Sequence, residues 1–516
     1  MSLLDTILPV VGYASCIALC YFIIVFGYRL YCHPLKKYPG PLLARLSDSY
    51  AGYYALKTSL HHATFEDHQR HGDVMRYGPD RLIFNTSAAL RDIYQNPRVT
   101  KSDLYLFALI NGVPFIFNLL DRDAHYQRRK IISPFLAERS VSKFEPTIVR
   151  QTDILLKQLL GSSSHPVDLT ASCSQFATDV AANLGFGYHL ELQTKEENRF
   201  VRTGLEIGNY RVHTFMNFPF LSQLRLNYLF ERNSIRQKWG NLLVKMMKTR
   251  LTQEKGTRHD YYSYVMNSIA LKPDDPQHSE IFAESMMFMS AGGDTVSTAM
   301  TALFFYLSRN RHCYDKLTRE IRTTFESGSE IQRGPQLSGC SYLRACIDEA
   351  LRMSPPIGGT LWRQLAKGED DKPFVVDGHI IPEGTHVGVN VYSIYHNEKY
   401  FPEPFAFKPE RWIANDKSTA NNPDEQSKLL ASNKAFTPFT LGIRSCPGKA
   451  MAYFEASLVV AKTLWYFDFE KSPGILGDVG RGKSGCYIDE FQLQDMLTSR
   501  HDGPYLTFRP RGDFWK

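Results

Sequence analysis

Apolar and polar positions fall into three regimes along this chain. Residues 6–28 carry no charged side chain, and 8–28 are dense in Val, Ile, Leu, Phe and Tyr over a length that crosses a bilayer as a helix. Asp5 precedes the run where a secretory signal would carry Lys or Arg, and no small-residue cleavage site follows. The stretch therefore reads as a single transmembrane anchor rather than a cleaved signal. Arg29, Lys36, Lys37 and Arg45 follow it, which by the positive-inside rule leaves the bulk of the chain in the cytosol. Tyr38-Pro39-Gly40-Pro41 cannot continue a helix and predicts a stiff, extended turn. The division that results is an anchor at 1–30, a Pro/Gly hinge at 31–50 and one large body at 51–516.

In the body the dominant spacing is helical. Amphipathic runs at 147–160 and 342–352, a long apolar run at 279–311 and another at 449–467 predict helices. Strand signals are few. Phe374-Val375-Val376 and His379-Ile380-Ile381 flank Asp377-Gly378, the pattern of a tight hairpin, and short strands are expected at 387–391 and 505–508. The fold class is mainly α with a small β region.

Composition narrows the functional classes. With 43% hydrophobic residues over 516 positions the chain can bury a large core, and no repeat or linker divides the body. The net charge of +7 is not gathered into a basic stripe interleaved with aromatics, so nucleic acid has little to hold. Nine cysteines, an odd number without Cys-x-x-Cys pairs, argue against a disulfide framework and a structural zinc site, and fit a reducing compartment.

One cysteine stands apart. Phe439-Thr440-Leu441-Gly442-Ile443-Arg444-Ser445-Cys446-Pro447-Gly448 immediately precedes an apolar helix, where unpaired N–H groups and the helix dipole favour a thiolate able to bind iron. Gly442 and Gly448 supply backbone freedom and close approach to a flat cofactor, Phe439 can cover the sulfur side, and Arg444 can pair with a propionate. This segment resembles the haem-binding signature of the cytochrome P450 superfamily. The resemblance implies that superfamily's fold, haem b as cofactor and Cys446 as the axial ligand of its iron.

Other motifs agree with it. Ala291-Gly292-Gly293-Asp294-Thr295 puts two glycines inside the long apolar helix, at roughly 1 kcal/mol each relative to alanine. A local widening there would make room for dioxygen beside Thr295, with Asp294 relaying protons, as in the family's oxygen-activating helix. Thr295 could instead bond back to its own helix. Glu349 and Arg352, with Arg411 in Phe407-Lys408-Pro409-Glu410-Arg411-Trp412, resemble the family's structural Glu/Arg network beneath the cysteine loop. By the same resemblance Arg129, His125 and Arg363 face the haem propionates, His125 standing where tryptophan is usual.

Segments 104–120, 207–221 and 355–361 match the family's substrate-contacting regions, with Phe107, Phe115, Phe117, Phe215, Phe218 and Phe220 as candidate pocket aromatics for a lipophilic substrate. The anchor-proximal wording resembles filamentous-fungal members that oxidise terpenoid, polyketide or alkaloid skeletons in secondary metabolism. The chain has no phosphate cradle or flavin fingerprint, so a separate electron donor is expected; the resemblance implies a membrane-bound NADPH-cytochrome P450 reductase, with NADPH acting only through it and Lys449 and Arg128 as docking candidates. The expected setting is the endoplasmic reticulum membrane, single-pass, with the catalytic body facing the cytosol. A haem-thiolate isomerase or dehydratase and a non-catalytic membrane haem sensor stand as alternatives.

Overall fold

Small residues at matched heights let two long apolar helices meet almost backbone to backbone. A Cβ on Gly293 of helix Glu280–Arg309 would lie 2.9 Å from Thr178 Oγ1 in helix Leu169–Phe186, and one on Gly185 would lie 2.9 Å from the Ser285 carbonyl oxygen. A Cβ on Gly292 would meet Ala181 Cβ at 3.3 Å. These contacts come from a computed structural model that describes residues 3–162, 164–223, 233–253, 260–265, 278–369, 371–413, 423–483 and 487–513. The long helix runs unbroken through the glycine pair. The glycines therefore serve close packing rather than the expected local widening: at this separation no side chain fits. The helix starts at the Ser279 cap, whose hydroxyl accepts from the Phe282 N–H at 3.3 Å, and ends before the predicted 311, Asn310 separating it from helix Arg311–Thr324.

Helix Lys449–Tyr466 packs against this long helix and against helices Glu138–Gly161 and Ser341–Met353, so the predicted runs at 147–160, 342–352 and 449–467 all belong to one core. The β region is small, as expected. A five-stranded sheet has the order Val74–Gly78, Arg81–Phe84, His386–Val389, Arg363–Leu365 and Val99–Lys101, and Tyr505–Pro510 pairs with Val167–Asp168 and Phe467–Lys471. The hairpin pairs Phe374 with Ile381 across Asp377 and Gly378, whose φ of 47° and 75° suit its tight turn. The strand expected at 387–391 stops at Val389 because Asn390 caps a new helix, Val391–Tyr395.

Helix Leu3–Gly27 continues as a π-turn through Cys32, and Pro9–Cys32 is long and apolar enough to cross a membrane. The segment 31–50 is packed rather than merely extended. Leu35 and Tyr38 are buried against the sheet, the Arg76 N–H donates to the Pro39 carbonyl at 2.7 Å, and helix Leu42–Leu46 follows Pro41. Gly40, at φ 151°, has no room for a Cβ, which would stand 2.3 Å from the Arg76 carbonyl oxygen. The eight described cysteines are all free.

The structural network forms as expected and gains a member. Arg352 grips both carboxylate oxygens of fully buried Glu349 at 2.9 Å, Arg411 Nε donates to Oε1 at 3.0 Å, and Trp412 Nε1 donates to Oε2 at 3.0 Å. Trp412 then packs at a tilt against Phe436, ring centroids 4.4 Å apart, next to Thr437, whose N–H donates to the Tyr395 hydroxyl at the entrance to the cysteine loop. Burial alone would raise the Glu349 carboxyl, but the Arg352 and Arg411 charges with the Lys408 N–H outweigh it and hold the group below its usual value.

Two substitutions test this frame. Gly293→Val forces the paired helices apart and lowers the unfolding free energy by about 1–3 kcal/mol in thermal or denaturant unfolding. Glu349→Gln leaves two buried guanidinium groups without their counter-charge and costs about 3–5 kcal/mol at neutral pH. The difference from the unaltered chain shrinks as pH falls through the lowered Glu349 pKa, because the stabilisation by a depressed carboxylate is lost on protonation.

Candidate haem and substrate site

The cysteine loop is closed by its own backbone. Thr440 and Gly442 take positive φ, 55° and 73°, and the Cys446 N–H donates to the Phe439 carbonyl at 2.9 Å. A Cβ on Gly442 would lie 2.2 Å from the Tyr94 carbonyl oxygen, so the close approach of the chain at Tyr94 already requires a glycine here. Gly448 caps helix Lys449–Tyr466, and its N–H reaches the Cys446 sulfur. Phe439 packs against Tyr453 at 5.0 Å, beside the loop. The Cys446 sulfur is accessible yet surrounded by protein, so its open surface faces the interior. Burial raises its thiol pKa; the Gly448 N–H and the Arg129 charge pull the other way. The helix start alone does not deliver the expected thiolate, and a cation facing the sulfur has to complete it.

Positive groups converge around this loop. Arg129 Nη1 donates to the Ser445 carbonyl at 2.5 Å, and Arg444 reaches the carbonyls of Leu119 at 2.6 Å and Leu120 at 3.1 Å while its Nε stays buried without a partner. Arg363 Nη1 donates to the Trp362 carbonyl at 2.9 Å and His125 is buried with an unpartnered Nδ1. Burial, then Arg444 and Lys101, push the His125 imidazole down to about 3, so it is neutral. Sequence reasoning missed Lys101, whose ammonium bonds to the Phe117 carbonyl. Burial, Arg363 and Arg444 together press its pKa far below that of a free lysine. The available signal was a lysine closing a buried strand, a position a cation occupies at high cost unless an anion faces it. Among the described residues no carboxylate pairs with Lys101, Arg129, Arg363 or Arg444. Such a set fits a dianionic ligand.

Asp294 and Thr295 face different spaces. Thr295 borders a cavity of about 660 Å³ lined mainly by apolar groups, including Phe115, Phe117, Val212, Trp239, Phe282 and Leu497. Its hydroxyl donates to the Ala291 carbonyl at 2.6 Å, the back-bonded alternative noted above, so what it offers the cavity is an acceptor. Asp294 turns away from the large cavity, accepting from Asn209 Nδ2 at 2.7 Å and from the Thr498 hydroxyl at 3.1 Å. It borders a separate polar cavity of about 30 Å³, room for a water molecule or two, together with Glu206, Arg500 and His501. Burial lifts the Asp294 carboxyl to about 7 against the Thr498 and Asn209 hydrogen bonds.

Of the six candidate aromatics only Phe115 and Phe117 line the large cavity. Phe215 is buried against Phe107, Phe218 packs on Gly52, and Phe220 is exposed. Leu497 and Thr498, in the C-terminal loop, line it without having been predicted. Arg128 is not a docking residue: it is tied to Glu280 at 2.5 Å and to buried Glu284 at 2.8 Å, whereas Lys449 is exposed.

Comparison with known proteins agrees with this geometry. The cytochrome P450 family model matches residues 59–475, and the chain belongs to that family. It is 35% identical over 509 residues to cytochrome P450 monooxygenase poxM of Penicillium oxalicum, covering 96% of this chain and 94% of that one. It is 34% identical to cytochrome P450 monooxygenase AKT7 of Alternaria alternata, over 93% and 94% of the two chains, and 34% identical to apf7 of Gibberella fujikuroi, over 95% and 96%. The protein is a cytochrome P450 monooxygenase, and membership implies a haem-iron cofactor. An interior-facing sulfur with a ring of cations lacking carboxylate partners fits an iron porphyrin bearing two propionates.

The raised Asp294 pKa sets a measurable pH response. Folded Asp294 holds a proton that the unfolded chain has released between the usual 3.8 and about 7, so stability falls as pH rises through that window. Asp294→Asn removes this loss, and its melting temperature relative to the unaltered protein rises across the same window and then levels off.

Proposed function

We propose that this enzyme inserts one oxygen atom, by hydroxylation or epoxidation, into a lipophilic intermediate of terpenoid, polyketide or alkaloid type in fungal secondary metabolism. The observation that carries the reading is the 660 Å³ apolar cavity ending on Ala291 and Thr295, a volume suited to a molecule of that size. Cys446 holds the haem iron, and Arg129, His125, Arg363, Arg444 and Lys101 hold the propionates. Haem bound there supplies reductive activation of dioxygen.

The remaining chemistry belongs to the chain. Apolar walls desolvate the substrate and exclude bulk water. Thr295 presents an acceptor at the end of the cavity. Asp294, poised near neutrality, holds and releases protons drawn from the small polar cavity behind it. Electrons come from NADPH through a membrane-bound NADPH-cytochrome P450 reductase docking near exposed Lys449. The apolar N-terminal helix anchors the chain in the endoplasmic reticulum membrane, the body 51–516 facing the cytosol.

The decisive measurement is mass spectrometry of products after co-expression with a reductase and candidate scaffolds. A product heavier than its substrate by one oxygen, formed only with NADPH, is expected; an NADPH-independent rearrangement would refute the reading. Cys446→Ala should abolish the long-wavelength carbon monoxide band of the reduced protein.

A further inference from the structure

Asp495 lies where four segments meet, away from the cysteine loop, and is almost fully buried. Its Oδ1 stands 3.5 Å from His213 Nδ1 on helix Phe200–Asn217, and its Oδ2 stands 3.9 Å from His61 Nδ1 at the start of helix Leu60–His71. A Cβ on Gly359, in segment 355–361, would come within 3.3 Å of Oδ2. The Asp495 N–H donates to the Thr58 carbonyl at 2.8 Å. Oδ2 and both ring nitrogens of His61 lack hydrogen-bond partners. Burying unpaired polar groups costs stability, which asks what else constrains this position.

The constraint is visible two residues on. Leu497 has φ 77°, a left-handed backbone that a bulky residue keeps only where its surroundings hold it. The N–H groups of Leu497 and His61 and the His213 imidazole all act on the Asp495 carboxylate, opposing the rise that burial imposes. In this conformation Leu497 lines the cavity, and Thr498 both donates to Asp294 and accepts from Asn209 at 2.6 Å.

We propose that Asp495 is the positioning residue of the substrate cavity: held between His61 and His213, it fixes the loop that drives Leu497 into the cavity and Thr498 onto Asp294. It acts through those two residues and touches no substrate. The inference rests on the cavity being the substrate site. Its consequence is discrimination by size, because Leu497 sets the width of the cavity only while the loop is held.

The test uses the full-length haem-loaded protein and two probes, 4-phenylimidazole as a small azole and clotrimazole as a bulky one, each followed by its absorbance shift. Asp495→Ala should change the ratio of their dissociation constants by about tenfold, the scale of one or two lost interactions. It should also lower the fraction of consumed NADPH that appears as product, through the displaced Thr498. Asp495→Asn, which keeps the shape and one acceptor, should recover most of the azole ratio. Leu497→Gly should shift the ratio in the same direction as Asp495→Ala without loss of melting temperature, since glycine accepts the positive φ. An unchanged ratio in Asp495→Ala with the carbon monoxide band intact overturns the proposal. Should that variant fail to fold, His213→Asn decides by the same ratio. If the unaltered protein binds neither azole, the reading of the cavity fails instead, whatever Asp495 does.

Discussion

Burying positive charge without its counter-charge is the constraint around which this protein is organised. Lys101, Arg129, Arg363 and Arg444 come from a strand, a helix, a second strand and the cysteine loop; folding brings Lys101, Arg363 and Arg444 close enough to repel one another and sets Arg129 beside the Cys446 sulfur. Backbone carbonyls of the 115–120 stretch and of Ser445 absorb part of that repulsion. Full neutralisation needs an anion, and the haem cofactor that family membership implies carries two propionates. The sulfur obeys the same logic with the sign reversed: it is pushed towards the neutral thiol until a cation faces it.

The long helix separates two kinds of chemistry by a single step along the chain. Asp294 and Thr295 are adjacent, yet about 100° of helical turn sends one towards a wet polar pocket and the other towards an apolar cavity. Asn209 and Thr498 line both spaces. The glycine pair just before Asp294 sets how closely helix Leu169–Phe186 can approach, and so how small the polar pocket stays.

What was legible in the sequence was local. The cysteine loop, the Asp377-Gly378 hairpin and the Glu349 network each announce themselves by residues that depend on near neighbours or on a short, specific motif. What was not legible depends on distant partners. Gly292 and Gly293 read equally as a widening or as a contact until Thr178 and Ala181 are placed beside them. Arg128 reads as surface charge until Glu280 and Glu284 arrive from a helix some 150 positions away. Phe218 and Phe220 look like pocket aromatics, but one fills the space left by Gly52 and the other faces outwards. Lys101 and Asp495 carry no motif at all; only the groups that converge on them show what they do.

Arg76 is fully buried, and its guanidinium holds the Arg29 carbonyl at 2.7 Å as well as the Pro79 carbonyl, while Arg29 reaches back to the Leu46 carbonyl at 2.5 Å. The apolar helix is thus bolted to the five-stranded sheet rather than tethered by a slack leash. Any tilt of that helix swings the whole body with it, so the angle at which the cavity meets its surroundings is a property of the joint and not of chance encounters. Cutting the chain beyond Arg29 would strip an interior guanidinium of one of its acceptors and loosen the edge of the sheet from which the body hangs.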